Sequence, residues 1–440
     1  MKIILVSTLL FFFFSSFAQN VDFDISKYKL PSMKRQSLNF FLDSHGSYGT
    51  TSEDYDSVRF NNIRGSSEAY SNLNYQLYIN TPKRQSHVHL GLNGRFDKVY
   101  NRQKTSETSI MQQKEDQLDS WLTLSLANKQ FNEKNWFWVA EPYYYMYLGR
   151  KRDMMEDQKD ETFSMNASLG LGGGKGRIEQ VQEFRQAILM LNEFVDRGLL
   201  ARTVTEQEVL EIAMLLSQLK NTRFFDARLR KEKDLVAIDS ILIEKGLITE
   251  KAISYYYVMD DIWTYGALQV RESGNQVRFV FTPAFSKYHH ESGPFSNRSE
   301  TRSLLNELVF ESEKPLSLKW QRGYRGGIYS RYIKMHQKEV YSSSLSLSAN
   351  LGFYPNTRTW LTWEILFYGG ISKFSGADDY QFVSTGLNSS LGYNYYISER
   401  IRLNMNSTLS YSRQDYKTAA IADMAGLSLV TRISFTYSLF

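Results

Sequence analysis

Residues 72–80 read NLNYQLYIN, and this stretch decides the fold class of the chain. Leu73, Leu77 and Ile79 occupy alternate positions, and most of the residues between them are asparagine or glutamine. Successive side chains of a β-strand point to opposite faces, so the segment predicts a strand with one apolar and one polar face. Such a strand suits a sheet that has lipid on one side and water on the other.

The same alternation recurs along most of the chain. From Ser37 onward the sequence divides into alternating segments of roughly ten to fifteen residues, the length that strands crossing a bilayer require. Six segments lie before about residue 173 and eight lie after about residue 276. The sequence therefore predicts an all-β transmembrane antiparallel barrel of about fourteen strands, with sixteen as the alternative count.

The composition agrees with strands that have two different faces. The 440 residues include 29 Tyr, 28 Phe and 7 Trp, yet the mean hydropathy of −0.41 is that of a water-soluble chain. The net charge of +5 is small for this length and implies no nucleic-acid partner. Because the chain has no cysteine, disulfide scaffolds, thiolate metal sites and cysteine nucleophiles are excluded.

The N-terminus has the features of a secretory signal peptide. Lys2 precedes the apolar run IILVSTLLFFFF at positions 3–14, and small residues follow up to Ala18. Cleavage after Ala18 defines the first of five expected segments. These are a signal peptide (1–18), a periplasmic tail (19–36), strands one to six (37–172), a helical insertion (173–262) and strands seven to fourteen (263–440).

The connections between the alternating segments are long and short in turn. The first long ones are expected at 48–67, 97–117 and 149–160, and short ones separate them at 81–85 and 128–134. Outer-membrane barrels have short periplasmic turns and longer extracellular loops. The alternation therefore predicts that both chain termini and the helical insertion lie on the periplasmic side.

At the level of architecture, the chain resembles bacterial outer-membrane β-barrel proteins of the porin-like class. The resemblance rests on the signal ending Phe17-Ala18-Gln19, the alternating strands and the last segment, which ends in Phe440. A terminal aromatic residue is similar to the sorting signal that the barrel-assembly machinery reads in that class. Here Phe440 is out of phase with Phe435 and Tyr437, which is a departure from the usual pattern. The resemblance implies an outer-membrane location, with outer-membrane lipid and the barrel-assembly machinery as partners.

Aromatic side chains also predict where the bilayer interfaces lie. Tyr and Trp are enriched at both membrane–water interfaces. The residues expected to form such girdles are Trp136, Trp138, Tyr143, Tyr144, Tyr145, Tyr147, Tyr393, Tyr395 and Tyr396.

Between the two groups of strands the period of the apolar residues changes from two to 3.6. The glycine-rich run at 170–176 lacks the spacing of a phosphate loop and is interpreted as a strand-to-helix hinge. Four helices are expected after it. The first carries Ile178 to Val195, the second opens with a Thr205–Glu208 capping box, the third covers roughly 224–245, and the fourth follows Thr249 and includes Ile253, Tyr256 and Tyr257.

Two sets of charged residues are candidates for function. The first is a basic patch in the third helix, which is either a solvated helix face or a docking surface for an acidic periplasmic partner: Arg223, Arg228, Arg230, Lys231 and Lys233. The second set faces the lumen by its strand parity and either braces the wall or sets ion preference: Arg95, Glu141, Arg278, Glu307, Lys319, Arg325, Glu364, Arg402 and Arg432, with Asp43.

Evidence for catalysis or metal binding is weak in this sequence. His87 and His89 share the polar side of one strand, but two histidines at this spacing are more simply explained by hydrogen bonding. No G-x-S-x-G or H-E-x-x-H motif occurs. No catalytic residue, cofactor or metal is therefore expected.

Three functions remain open at this stage. The leading one is a channel or export component whose periplasmic helical module gates the pore or docks an envelope partner. The alternatives are a non-conducting scaffold that binds partners through its surface loops, and a lipid-modifying enzyme of the outer membrane. Architecture of this kind does not identify a substrate.

Overall fold

The computed structural model describes residues 23–25, 28–29, 31–55, 58–105, 110–154, 158–221, 227–248, 251–266, 268–336, 338–376, 379–398, 401–417 and 423–437. Six strands precede the helices: β1 (Met33–Tyr55), β2 (Val58–Thr81), β3 (Arg84–Thr105), β4 (Ile110–Phe131), β5 (Trp136–Asp153) and β6 (Gln158–Gln180). Eight strands follow them: β7 (Glu272–Ser292), β8 (Phe295–Pro315), β9 (Trp320–Lys334), β10 (Glu339–Phe353), β11 (Thr359–Ser375), β12 (Tyr380–Tyr396), β13 (Ile401–Tyr416) and β14 (Met424–Tyr437).

The fourteen strands form one sheet in which each strand pairs with its neighbour in sequence. Every recorded pairing is antiparallel, and β6 pairs with β7 across the helical insertion. The predicted fold class, an antiparallel sheet of fourteen strands of the outer-membrane barrel type with an inserted helical module, is confirmed. Within the described residues no pairing is recorded between β1 and β14.

The two faces of the sheet differ as the alternation predicts. One cross-strand row contains Phe279, Leu308, Ile328 and Leu345, whose side chains are 39–55% exposed. The next row on the opposite face contains Arg278, Gly327 and Ser346 among its members. We call these the apolar face and the polar face. A continuous exposed apolar face of this extent is typical of a surface that contacts lipid.

The strands are longer than the sequence predicted. Most residues of the connections that were expected to be long therefore belong to strands. β1 and β2 have 23 and 24 residues and stay paired up to Tyr55 and Val58. About nine to eleven residues cross a bilayer, so the hairpins continue well beyond it. The prediction of loops at 48–67 and 97–117 was wrong because strands outside the bilayer lose the apolar alternation but keep their backbone pairing.

The glycine-rich run at 170–176 is part of β6 and is not a hinge. Gly172 pairs with Val280, and a Cβ atom added at Gly172 would lie 1.9 Å from the Phe279 carbonyl oxygen. The glycines therefore allow β6 and β7 to approach each other closely. The compact helical unit begins at Val181 and ends at Arg271, whereas the sequence had suggested 173–262.

The aromatic residues of β5 are divided between the two faces. Trp136 and Trp138 lie on the apolar face and are more than half exposed, as expected for a girdle. Tyr143, Tyr145 and Tyr147 lie on the polar face, where the Tyr147 hydroxyl donates to an Asp119 carboxylate oxygen at 2.6 Å. The assignment of these three tyrosines to a girdle was wrong because strand parity places them away from lipid.

The helical module contains α1 (Gln182–Asp196), α2 (Glu206–Asn221), α3 (Ala227–Glu244) and α4 (Ile253–Tyr265). Residues of all four helices form its buried apolar core: Phe184, Ile188, Leu191, Phe194, Val209, Ile212, Leu216, Ile238, Leu242, Tyr255, Met259 and Ile262. The capping box is confirmed, since the Thr205 backbone N–H donates to Glu208 at 2.9 Å and the Glu208 N–H donates to the Thr205 hydroxyl at 3.3 Å. No described helix is long and apolar enough to cross a membrane.

The module consists of two similar helical hairpins. Helices α1 and α3 both end in a Schellman motif with a left-handed glycine, Gly198 (φ +66°) and Gly246 (φ +60°). The two turns then pair through an antiparallel bridge between Leu200 and Ile248, which occupy equivalent positions. The short repeats RGLL and KGLI carried this signal in the sequence, but the sequence analysis missed it.

Two further features of the module differ from expectation. Ile253, Tyr256 and Tyr257 of α4 are 90%, 46% and 60% exposed, and Tyr255 is the buried aromatic residue. The segment expected to be a periplasmic N-terminal tail contributes Tyr28, which is 1% exposed and stacks on Phe184 with 5.5 Å between ring centroids. Thr249, the expected cap of α4, lies outside the described residues.

Candidate functional site

The candidate site is the paired end of β6 and β7, which lies against the polar face of the sheet. We define residues 177–180 and 272–275 as the strap. The two segments remain paired up to Gln180 and Glu272. Gly176 (φ +99°) directly precedes the strap and Gly274 (φ +132°) lies within it, and a Cβ atom at either position would lie about 2 Å from a carbonyl oxygen of the opposite strand. Only glycine fits at both positions, because φ is positive and a side chain would collide with the opposite strand of the strap.

Arg177 fastens one side of the strap. Its guanidinium donates to the Asn80 side-chain oxygen at 2.9 Å and to the backbone oxygens of Thr81 and Pro82 at 2.9 and 2.8 Å. It also lies 4.7 Å from the centroid of the Phe131 ring. Since Asn80 is fully buried and Arg177 is 11% exposed, the charge-assisted bond between them is largely shielded from solvent, whereas the bond to Pro82 is exposed.

Two glutamines and one lysine hold the rest of the strap and the residue that follows it. Gln85 donates to the Ile178 carbonyl at 3.1 Å, and Gln321 donates to the Glu272 carbonyl at 2.9 Å. Lys129 donates to the side-chain oxygen of Gln276 at 2.8 Å. These residues come from β3, β9 and β4, none of which pairs with the strand it contacts. The contacts therefore show that the sheet curls with its polar face on the inside, and that the strap bridges this face.

The strap was missed by the sequence analysis. Arg177 and Asn80 are 97 residues apart, so no local pattern connects them. The glycine at 274 offered a partial signal, because it is isolated within an otherwise polar strand start. Its position opposite Ile178 becomes visible only when the register is known.

Several of the charged residues that parity assigned to the lumen lie on the polar face and form pairs there. Arg278 donates to Glu141 at 2.9 Å, with side chains that are 17% and 26% exposed. Arg95 lies 2.8 Å from Asp97 and 3.1 Å from Glu68. The remaining contacts are Arg325 to Glu311 at 3.4 Å and Arg402 to the Tyr396 hydroxyl at 3.4 Å.

The other lumen candidates have different environments. Glu307 and Glu364 belong to the polar face by register, as does Arg432 of β14, opposite Asn406. Lys319 lies in the turn between β8 and β9, where Ser317 accepts the Lys319 backbone N–H at 3.2 Å. The parity argument therefore does not apply to Lys319, because β9 begins one residue later.

The basic patch of the third helix is engaged within the module. Arg230 donates to the Leu219 and Lys220 carbonyls at 3.2 Å, at the C-terminus of α2. Lys231 forms an ion pair with Asp260 of α4 at 2.8 Å, and Lys233 is exposed on α3. Arg223 and the side chain of Arg228 lie outside the described residues. These contacts favour a structural role for Arg230 and Lys231.

Histidine and carboxylate side chains form no recognisable metal centre in the described part of the chain, where no group of three or more potential ligands occurs. His87 and His89 lie on the polar face of β3. His289 and His290 form hydrogen bonds with Glu291 at 2.8 Å and with the Thr162 hydroxyl at 2.9 Å. Phe440, the expected sorting signal, lies outside the described residues.

Comparisons with known proteins find similarity in solved structures alone. No family model matches the chain. No curated protein matches it either. The ferripyoverdine receptor of Pseudomonas aeruginosa matches at 8% identity over 91% of this chain, with a TM-score of 0.36. The chain spans 58% of the length of that receptor.

Two further matches are outer-membrane proteins of similar length. A loop L8 deletion mutant of OmpT from Vibrio cholerae is 10% identical over 91% of this chain and 99% of its own, with a TM-score of 0.26. OccK2 (OpdF) of P. aeruginosa, solved with glucuronate, is 8% identical over 93% of this chain and 100% of its own, with a TM-score of 0.24. These values are too low to support any statement about the ligand or activity of this chain.

Proposed function

We propose that the protein is an outer-membrane channel or export component whose passage is controlled at the strap. The proposal rests on the sheet having an apolar face suited to lipid and a polar face suited to water. Pairing of β1 with β14 would close such a sheet around an aqueous path. The anchoring of Arg177 is the observation that carries the proposal, because it holds the strap across the polar face.

The strap is continuous in sequence with the helical module. Gln180 precedes Val181, and Arg271 precedes Glu272. The Val181 backbone N–H donates to the Arg271 carbonyl at 2.8 Å, which holds the two ends of the module together. A periplasmic protein that binds the module would therefore act on both strands of the strap at once. We infer that this continuity makes the module the control element of the channel.

The proposed orientation follows from strand number. If the termini lie in the periplasm, six strands return the chain to the periplasm before the module begins. The module then faces the inner membrane, where envelope partners are available. The strap lies at the same end as the short turns β2–β3 and β4–β5, which suits a periplasmic mouth.

Single-channel recording in planar bilayers tests the proposal. The intact protein is compared with Arg177→Gln and with Arg298→Gln, a control on the exposed part of β8. We expect a larger open fraction for Arg177→Gln and no change for the control. If none of the three proteins conducts while all remain folded, the channel is excluded and a scaffold function is favoured.

A further inference from the structure

An open groove of about 680 Å³ lies on the sheet between β6 and β9. Its floor is made of small and apolar residues, including Ala167, Leu169, Pro283 and Leu304. Because Ala167 and Pro283 have short side chains, they project less far from the sheet than the neighbouring phenylalanines do. The groove is therefore a shallow apolar depression on the apolar face of the sheet.

Two cations stand together at one end of this groove. Arg302 of β8 and Lys334 of β9 are directly opposite each other in the register, and both line the groove. Like charges directly opposite in an antiparallel pair are destabilising. The neighbouring pair on the same face, Lys287 and Glu300, has opposite charges. The arrangement at Arg302 is therefore unusual for this face of the sheet.

The carboxylate of Glu339 offsets part of this charge. It lies 3.6 Å from the Lys334 ammonium group and also accepts a hydrogen bond from the Tyr341 hydroxyl at 3.1 Å. No ion pair is recorded for Arg302 among the described residues. The three groups retain a net positive charge, and Arg302 is the exposed cation that an anion would meet.

The position of the cations along the strand suits a bilayer interface. Arg302 lies six residues from Leu308 of the apolar face, a distance of about 20 Å along the strand. Arg302 also lies two residues beyond Leu304, where the apolar residues of this face of β8 end. Tyr332 lines the groove beside the cations and packs against Tyr341 in a tilted arrangement, with 4.7 Å between ring centroids. Tyrosine is typical of this depth.

We propose that this groove binds an acylated, phosphate-bearing lipid of the surrounding leaflet. An acyl chain lies along Ala167, Leu169 and Pro283, and the phosphate lies between Arg302 and Lys334. The phosphate removes the repulsion between the two cations and accepts charge-assisted hydrogen bonds from the guanidinium group. The choice of an acylated lipid with a phosphate rests only on the apolar residues of the groove and on Arg302 and Lys334. Assignment to the outer leaflet rests on the orientation given under the proposed function, which puts the β7–β8 turn outside the cell.

Native mass spectrometry of the folded protein in detergent tests this site. The probe is diphosphoryl lipid A, compared with the same lipid after removal of its phosphates and with inorganic phosphate alone. The variants are Arg302→Gln with Lys334→Gln, and a matched control, Lys287→Gln with Arg298→Gln. Each double variant neutralises two cations that lie on the apolar face of neighbouring strands. Folding of every variant is verified on SDS gels, where heated samples of a folded barrel migrate more slowly than unheated ones.

We expect the Arg302/Lys334 double variant to lose at least about tenfold in affinity for the phosphorylated lipid, since it removes both cations that attract the phosphate. The control should stay within about twofold. Equal binding of the dephosphorylated lipid, unchanged binding by the double variant, or equally tight binding of inorganic phosphate would overturn the proposal. Lipid retention without any conductance would contradict the proposed channel and leave this site in place.

Discussion

The Arg177 guanidinium donates a hydrogen bond to the Asn80 side-chain oxygen at 2.9 Å and thereby joins the end of β6 to the end of β2. These strands are separated by three others in the sheet. A contact of this kind across the polar face needs a curled sheet and a strand end that leaves the wall. The contacts of Gln85, Lys129 and Gln321 show the curled sheet, and Gly176, with a positive φ, lies directly before the strap.

The Glu141–Arg278 pair should influence ion preference. Glu141→Gln removes one negative charge and leaves the Arg278 guanidinium without its partner on the polar face. We expect the reversal potential in a salt gradient to shift toward anion selectivity, because fixed charges along a pore set ion preference. The double variant Glu141→Gln/Arg278→Gln should return the value close to that of the intact protein. An unchanged potential in the single variant would mean that the pair does not line a conducting path.

The Glu208 capping box should make the stability of the module depend on pH in acid. The pKa of Glu208 falls from its ordinary 4.5 to about 2, mainly because Arg202 donates to the carboxylate and also because Thr205 does. A lowered pKa means that Glu208 stabilises the folded module above about pH 4.5 and loses this effect as the pH falls toward 2.

Hydrogen exchange of the α2 amides at pH 5 and pH 3 measures this effect. The loss of protection between the two pH values should be smaller in Glu208→Gln than in the intact protein, and Glu244→Gln serves as the control. Thr205→Ala should cost about 1 kcal/mol at pH 7 through loss of the N-cap. An identical pH dependence in Glu208→Gln would show that the carboxylate contributes nothing to the stability of α2.

The close approach of β6 and β7 predicts that Gly172 does not tolerate a side chain. Gly172→Val should destabilise the sheet by about 2 kcal/mol or more, because the Phe279 carbonyl oxygen occupies the space of the Cβ atom. Gly49→Val is the matched control, since no atom lies within 4 Å of its Cβ position. Urea titration followed by SDS-gel mobility measures both. Equal midpoints for the two variants would contradict the observed pairing of β6 through the glycine-rich run.

The N-terminal segment should detach from the module when its aromatic anchor is removed. Tyr28→Ala eliminates the stack on Phe184, and large-to-small changes of buried aromatic residues cost about 3–5 kcal/mol. We expect limited proteolysis in the region 19–32 to become at least about tenfold faster. Tyr28→Phe keeps the ring and should stay close to the intact rate. Protection that survives in Tyr28→Ala would mean that other contacts hold this segment.

The sequence predicted those parts of the fold that a lipid-facing pattern determines. Leu308 and Phe310 lie on one face as expected, and among the described residues the number of strands and helices agrees with the prediction. The extent of the strands was not predictable, because pairing beyond the bilayer, as between Tyr55 and Val58, leaves no apolar alternation. In α4 the consecutive tyrosines 255–257 gave no indication of which ring is buried. The site itself was invisible because Arg177 acts on residues almost one hundred positions away.

A reversible cross-link between the strap and the β2 end tests the central claim most directly. Because the chain has no cysteine, Asn80→Cys with Arg177→Cys can be joined selectively by a reducible bismaleimide spacer. The account predicts that cross-linking lowers the single-channel current and that reduction of the spacer restores it, whereas each single variant is unaffected by the reagent. A current that stays the same before and after a cross-link verified by mass would contradict control of the passage by the strap.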